Sequence, residues 1–388
     1  FVGVIGPSGA GKSTLAAVMS GAIPHHYTGK LFGATLVDGR DTCEITLTDI
    51  SRVVGSVLQD IDAQMVAPIV EDEMLFGLEN FGMPHDQIEE RIGQTLATVG
   101  ISDLRHREIA TLSGGQKQKV AIAAIIAMAP DVLVLDEPTA ALDPASSTLV
   151  FDTLRQINRE HGITVVVIEQ KVALLSKYCS RVLVMADGKL AFDGEPHQVF
   201  AHASELRQMG VDSPRVARIA NSLAEASLLP SGQAPCLNVS EAHQLISSLL
   251  ANATSKDAPA DTPETSPHIP TVPRGANQEP VVELTDVTFA YPHGGASVNN
   301  LNMCVYPGEL VGVIGQNGAG KTTLTKLLNG LLHPASGTVH MAGMNTADVP
   351  TSAIAAKCAT LFQNPDRQIC NGRGNLSFTT INLPRLGI

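Results

Sequence analysis

The chain has 388 residues, 44% of them hydrophobic, enough for sizeable cores in two domains. Its 26 Lys and Arg against 38 Asp and Glu leave a net charge of −12 with no basic run, which argues against a nucleic-acid-binding surface. The six cysteines form no Cys-x-x-Cys pair and read as free thiols of a reducing compartment, and no apolar run approaches the roughly 20 residues of a membrane span.

An apolar strand, residues 1–5, opens the chain; Phe rather than Met at position 1 suggests a fragment or an incomplete reading frame. Gly6-Pro7-Ser8-Gly9-Ala10-Gly11-Lys12-Ser13 follows directly and matches G-x-x-x-x-G-K-[ST], with Thr14 opening a helix expected over residues 14–20. Gly6, Gly9 and Gly11 let backbone N–H groups curl round a phosphate chain beside Ser8 and Thr14. Lys12 reaches the β and γ oxygens, and the Ser13 hydroxyl suits Mg²⁺. A strand before the motif and a helix after it make nucleotide binding the expectation.

The next apolar run, Val53 to Leu58, ends at Gln59, which begins Gln59-Asp60-Ile61-Asp62-Ala63-Gln64. Residues 70–107 have helical periodicity, and their acids (Glu71, Asp72, Glu73, Glu89, Glu90) are expected on solvated faces. Ser113-Gly114-Gly115-Gln116 then opens a helix whose unpaired N–H groups and positive dipole end suit a phosphate. That helix is apolar nearly all round and is expected to be buried. Val132-Leu133-Val134-Leu135 reads as a central strand of a parallel sheet. It ends in Asp136-Glu137, at the edge where open α/β sheets place their ligands.

A helix is expected over residues 148–160 and a buried strand over 163–168, ending in Glu169-Gln170. Residues 181–193 read as a hairpin around Asp187-Gly188. His161 reads as a turn residue, and His25-His26 as loop residues rather than ligands. Helices are expected over 205–223 and 240–251. Residues 253–280 carry six prolines without apolar periodicity, as a flexible linker would.

The sequence then repeats itself. Gly315-Gln316-Asn317-Gly318-Ala319-Gly320-Lys321-Thr322-Thr323 restates the first glycine-rich loop 309 positions on, again after an expected strand. Phe362-Gln363-Asn364-Pro365-Asp366-Arg367-Gln368 restates the Gln59 loop. About 29 residues precede this second copy's strand, among them Phe289-Ala290-Tyr291. After Ile369 the register is lost, and residues 370–388 hold no acid, so a frameshift or truncation near Cys370 is expected.

Residues 1–200 and 281–369 closely resemble ABC-type ATPases. Residues 112–143 are similar to that family's signature motif, Walker B strand and D-loop. The resemblance implies an α/β P-loop NTPase fold with a helical subdomain, in two tandem copies, the second incomplete. Its division would be 1–200, a first ATPase domain lacking its N-terminal strands; 201–252, a helical extension; 253–280, the linker; and 281–388, the start of a second ATPase domain. The implied cofactors are ATP and Mg²⁺. Each nucleotide would lie between one domain's P-loop and the other's Ser113, Gly114, Gly115 and Gln116. Asp136, Gln59 and, in the second copy, Thr322 and Gln363 would face Mg²⁺. Glu137 would polarise the attacking water, and Tyr291 would stack on adenine. Gln170 stands where most members have a histidine; it can donate a hydrogen bond but cannot take up a proton.

The wording of residues 112–144 and the run Gln363–Gln368 resemble the energy-coupling-factor and cobalt-type import ATPases. That implies vitamin or metal-ion uptake at the cytoplasmic face of the membrane. The implied partners are a transmembrane coupling subunit, a substrate-binding membrane protein, and a second ATPase domain or second copy. A twin ATPase acting on ribosomes would carry a basic helical linker in place of residues 253–280. A DNA-repair ATPase would insert long heptads where Ser113 follows Lys12 by only 101 positions. An ATP-binding relic without turnover is the third alternative.

Overall fold

The computed structural model describes residues 1–27, 29–226, 228–229, 235–252, 279–292, 297–316 and 318–361. The chain divides into two compact units, Phe1–Ala258 and Pro259–Ile388. The linker expected over 253–280 falls mostly outside the described residues, as do Asn317, Gln363, Cys370 and the loss of register beyond Ile369.

The first unit is built on a six-stranded sheet. In spatial order its strands are Val54–Val57, Val132–Asp136, Thr164–Ile168, Val2–Ile5, Arg181–Ala186 and Lys189–Gly194. The first five are parallel and the last returns antiparallel through the Asp187-Gly188 turn. The β-branched runs Val132–Asp136 and Thr164–Ile168 lie inside the sheet with fully buried residues (Leu133, Leu135, Val165, Val167), as expected of strands covered on both faces. Adjacent strand ends are level: Val57 pairs with Leu135, Asp136 with Ile168 and Val4 with Ile168. Four carboxyl ends therefore open on one edge.

Helices Val70–Asn80, His85–Val99 and Gly114–Ala127 pack together as a helical layer. Gly114–Ala127 also meets strand Val54–Val57, at the one place where the strand has no side chain to present. A Cβ on Gly55 would lie 2.2 Å from Ile125 Cγ2 and 3.2 Å from Pro130 Cγ. We expect Gly55→Ala to destabilise the unit by about 1–3 kcal/mol through overpacking, measured by urea unfolding.

Several elements differ from the sequence reading. The helix after the first glycine-rich loop starts at Lys12, not Thr14, because Gly11 at φ 93 turns the chain into it. The helix expected over 148–160 starts at Pro144, where Asp143 caps it by accepting from the Ala145 and Ser146 N–H groups at 3.0 Å; His161 is its last residue rather than a turn. The single helix expected over 205–223 is two, Ala203–Gln208 and Arg215–Glu225, broken by Gly210 at φ 75 and by Pro214. The helix Gly114–Ala127 buries Val120, Ile122 and Ile126, yet Ala124, Ile125 and Met128 beyond its end are only half-buried. The apolar girdle thus serves a core on one side and a groove on the other.

The acids of 70–107 are not all solvated. Glu73 is buried and accepts from the N–H groups of Val66 and Ala67 at 2.9 and 2.8 Å, pinning the segment after the Gln59 loop. Glu71 receives Arg105, which also reaches Glu89, and these carboxylates push the guanidinium pKa further up. Periodicity places an acid on a face; it does not reveal which backbone donors another loop will bring there.

The second unit has a four-stranded antiparallel sheet, in the order Val298–Val305, Val282–Phe289, Ser336–Met341, Met344–Asn345. Helix Lys321–Leu328 lies on it over a core of Leu284, Val287, Val298, Leu327 and Val339. The strand expected before the second glycine-rich loop does not form: residues 310–316 have no regular structure, with Leu310 and Ile314 almost fully exposed. In the first unit the matching strand, Val2–Ile5, is held by parallel neighbours on both sides. No such neighbours exist among the described residues of the second unit, and a strand without ladder partners leaves its N–H and C=O groups unpaired.

Candidate functional site: a phosphate loop at the carboxyl edge of the sheet

Strand Val2–Ile5 runs into Gly6, where the loop makes its closest approach to the rest of the sheet. A Cβ on Gly6 would sit 2.3 Å from the Met185 carbonyl oxygen, so only glycine fits there. The loop ends at Gly11, and Lys12 opens the helix that follows. Lys12 is buried to 7% exposure, and its Nζ folds back across the loop to donate to the Gly6 and Pro7 carbonyls, both at 2.8 Å. Ser8, Gly9, Ser13 and Thr14 are exposed on the same turn. The second copy repeats this: Lys321 Nζ donates to Gly315 O at 2.6 Å and Gln316 O at 2.7 Å, and Gly320 enters the helix at φ 88. Gly318 and Thr322 are exposed there, while Thr323 is buried. Tyr291 lies edge-on to Phe289, centroids 5.0 Å apart, with Lys326 over its ring.

Three other strand ends bring their side chains to the first loop's edge. Asp136 hydrogen-bonds Ser13 and lies near Lys12; burial pushes its carboxyl pKa up, against the lowering influence of those two partners. Its Oδ1 is buried with no hydrogen-bond partner. An unsatisfied carboxylate oxygen beside a hydroxyl is a hard, oxygen-only donor set, which fits Mg²⁺.

Glu137 follows at φ 49, a left-handed conformation rarely adopted outside glycine, asparagine and aspartate. Its backbone N–H donates to Ile168 O at 2.9 Å, which carries the parallel ladder one residue past Asp136. Two amides from neighbouring strand ends then hold its carboxylate: Gln59 Nε2 donates to Oε2 at 3.2 Å, and Gln170 Nε2 donates to Oε1. Gln59, Asp136, Glu137 and Gln170 are thus assembled at one edge with Lys12 and Ser13.

Ser113 caps the helix Gly114–Ala127. Its Oγ accepts from Gln116 N at 3.3 Å, while Gln116 Oε1 accepts from Ser113 N at 2.9 Å. Ser113 and Gly114 are exposed, and the free N–H groups of this turn face outward.

Sequence reasoning missed Glu169 and its surroundings. Glu169 is 2% exposed; it accepts from the Thr139 hydroxyl and from the N–H groups of Gln170 and Lys171, at 2.9 and 3.2 Å. A carboxylate at a strand end in an acid-rich protein carries no sign that a threonine 30 residues earlier will cover it. The one local signal is Lys171, a residue ill-suited to start the helix Val172–Tyr178.

Comparison with known proteins bears on this arrangement. The sequence profile of the family described as ABC transporter matches residues 1–140 and 298–372. A provisionally named ABC transporter ATP-binding protein of Methanosarcina acetivorans is 34% identical over 374 residues, covering 95% of this chain and 60% of that protein. One of Streptomyces coelicolor is 35% identical over 360 residues, covering 86% of this chain and 60% of that one. The chain therefore spans about three-fifths of the length of such relatives. Among solved structures, CbiO1 of Clostridium perfringens, part of the ABC transporter complex CbiONQ, is 32% identical with a TM-score of 0.49, covering 58% of this chain and 86% of that one. With the family profile matching more than half of its residues on both copies of the glycine-rich loop, the chain belongs to the ABC transporter ATP-binding family.

Proposed function

We propose that this chain binds and hydrolyses ATP to drive a membrane importer of the energy-coupling-factor type, serving vitamin or metal-ion uptake. The observation that carries the ATPase reading is the carboxylate of Glu137, held by Gln59 and Gln170 at the edge where Lys12, Ser13 and Asp136 meet. Lys12 and the N–H groups of residues 8–14 hold the phosphates. Ser13 and Asp136 would hold Mg²⁺, which neutralises charge on the β and γ oxygens. Glu137, fixed by its two amides, takes the proton of the attacking water. Ser113–Gln116 present a helix start to the γ-phosphate of a nucleotide bound by another ATPase domain, which closes over it. In the second copy, Gly315, Gly318, Gly320, Lys321, Thr322 and Thr323 would form the matching phosphate loop, Thr322 would serve its cation and Tyr291 would stack on adenine; the corresponding roles of Asn317 and Gln363 fall outside the described residues. The domain limits set out for the sequence belong to the same proposal.

The coupling reading is supported by the half-buried side of helix Gly114–Ala127. With helix Val70–Asn80 it borders a groove of about 220 Å³ lined by Met65, Val66, Phe76, Phe81, Ile125 and Met128. Val66, just after the Gln59 loop, is 61% exposed, and Phe76, on helix Val70–Asn80, is 54% exposed. An apolar groove joined to a catalytic loop suits an amphipathic helix of a transmembrane coupling subunit. Among the described residues, no helix is long and apolar enough to cross a membrane.

Co-expression with multi-span membrane proteins encoded beside this gene tests the reading. We expect a complex that takes up its solute at the expense of ATP, and we expect Phe76→Glu to abolish capture of the coupling subunit while ATP affinity stays within about twofold. Undiminished capture by Phe76→Glu would remove the groove from the account. Uptake that continues without ATP would remove the importer.

A further inference from the structure

Residues 169–171 reach three different points of the segment that follows strand Val132–Asp136. Glu169 takes the Thr139 hydroxyl, Gln170 takes Glu137, and Lys171 goes further along. Lys171 Nζ donates to Thr139 O at 2.7 Å, Leu142 O at 3.1 Å and Ser147 Oγ at 2.8 Å. Two of the three contacted residues are enclosed, Thr139 at 0% and Ser147 at 1% exposure, and Leu142 is half-buried. An ammonium has three protons; two are used on the loop after the strand and the third on the first turn of the helix that follows it.

Lys171 is also the wrong residue for its own helix. It occupies the position before Val172–Tyr178, where a side-chain oxygen would satisfy free N–H groups and where the dipole disfavours a cation. Its side chain makes no cap; Glu169 accepts its N–H instead. A residue that breaks a local rule without gain to its own element marks a requirement elsewhere. Here that requirement is the loop from Glu137 to Asp143, whose turns close by Ala140 N to Glu137 O at 3.1 Å and Leu142 N to Thr139 O at 3.0 Å. Without Lys171, the Thr139 and Leu142 carbonyls lose the donor that draws the loop onto the Gln170 turn.

We propose that Lys171 is a positioning residue of the ATPase site: by anchoring the 139–143 loop and the helix start at Ser147 to the Gln170 turn, it fixes Glu137 between its two amides. Glu169 and Thr139 form the second anchor of the same loop, so that Glu137 and residues 139–143 move as one body. The proposal rests on Glu137 being the base for ATP hydrolysis.

The test uses the full chain with Lys171→Met and Lys171→Arg, because Arg keeps the charge and several donors whereas Met keeps only the length. Three readouts are taken: ATP affinity by calorimetry, single-turnover hydrolysis of bound ATP, and hydrogen exchange of the Ala140 and Leu142 amides. For Lys171→Met we expect ATP affinity within about twofold and hydrolysis slower by about tenfold. We also expect the two amides to exchange about tenfold faster while strand Val2–Ile5 exchanges as before. Lys171→Arg should return most of the hydrolysis rate. Unchanged exchange in Lys171→Met would overturn the anchoring, and faster exchange with an unchanged hydrolysis rate would overturn its bearing on Glu137. Faster exchange throughout the unit, with affinity falling in step, would make Lys171 merely structural. If the parent chain binds ATP but turns none over, the proposed function fails, while the exchange readout still decides the anchoring.

Discussion

Lys12→Ala will bind ATP at the first loop at least about 100-fold more weakly than the parent. The Lys12 ammonium is nearly buried and donates to two loop carbonyls, so it is held over the mouth of the loop by groups that do not neutralise it. Charge-assisted hydrogen bonds to phosphate oxygens in such a place contribute about 3 kcal/mol, and each 1.4 kcal/mol is roughly tenfold in Kd. The helix it opens is set by Gly11 and by the Leu15 N to Gly11 O bond at 2.8 Å, neither of which needs the side chain. Calorimetry of the full chain carrying Lys321→Ala isolates the first loop. Equal affinity with and without Lys12 would defeat the assignment.

Glu137→Gln should leave that affinity almost untouched and lower hydrolysis by about 10²–10⁴-fold. The carboxylate accepts from Gln59 on one oxygen and from Gln170 on the other. An amide in its place has one acceptor, so one of the two glutamines faces an N–H group, and the proton acceptor is gone. The loss therefore combines a missing base with a misplaced side chain. Rapid quench of bound ATP, beside an equilibrium titration, separates the two quantities. A mutant that hydrolyses within about threefold of the parent would show that another group takes the proton.

Much of the first copy's edge was legible because its chemistry is local. A glycine-rich loop between an apolar run and a helix, and acids closing a run of Val and Leu, state their positions within about ten residues. The parallel sheet then makes the rest follow, since strands of one direction deliver their ends to one edge. What stayed hidden depends on distant partners. Nothing near Glu73 says that the Val66 and Ala67 amides will reach it, and nothing near Lys171 names carbonyls 29 and 32 residues earlier. The second copy shows the converse. Gly312-Val313-Ile314-Gly315 reads as a strand, yet residues 310–316 form none, because pattern supplies a strand's side chains and only neighbours supply its hydrogen bonds. Gln170 stands where the resemblance puts a histidine in most members, and the contact its amide makes, with Glu137, lies 33 residues away in the sequence, out of reach of any local signal.

The proposed sites are composite, each phosphate loop needing a helix start like Ser113–Gln116 from another domain and its own carboxylate pair. Within one molecule the described residues hold one such helix start and one such pair, both in the first unit. Two chains can then pair through their first units, each Lys12 site borrowing Ser113–Gln116 from the other, and turnover at Lys12 depends on that pairing. The direct measurement is the rate of ATP hydrolysis against the concentration of the full chain. The account predicts a rate rising as the square of chain concentration at the dilute end, and abolished by Glu137→Gln. Brisk turnover proportional to concentration, and indifferent to Glu137→Gln, would contradict it.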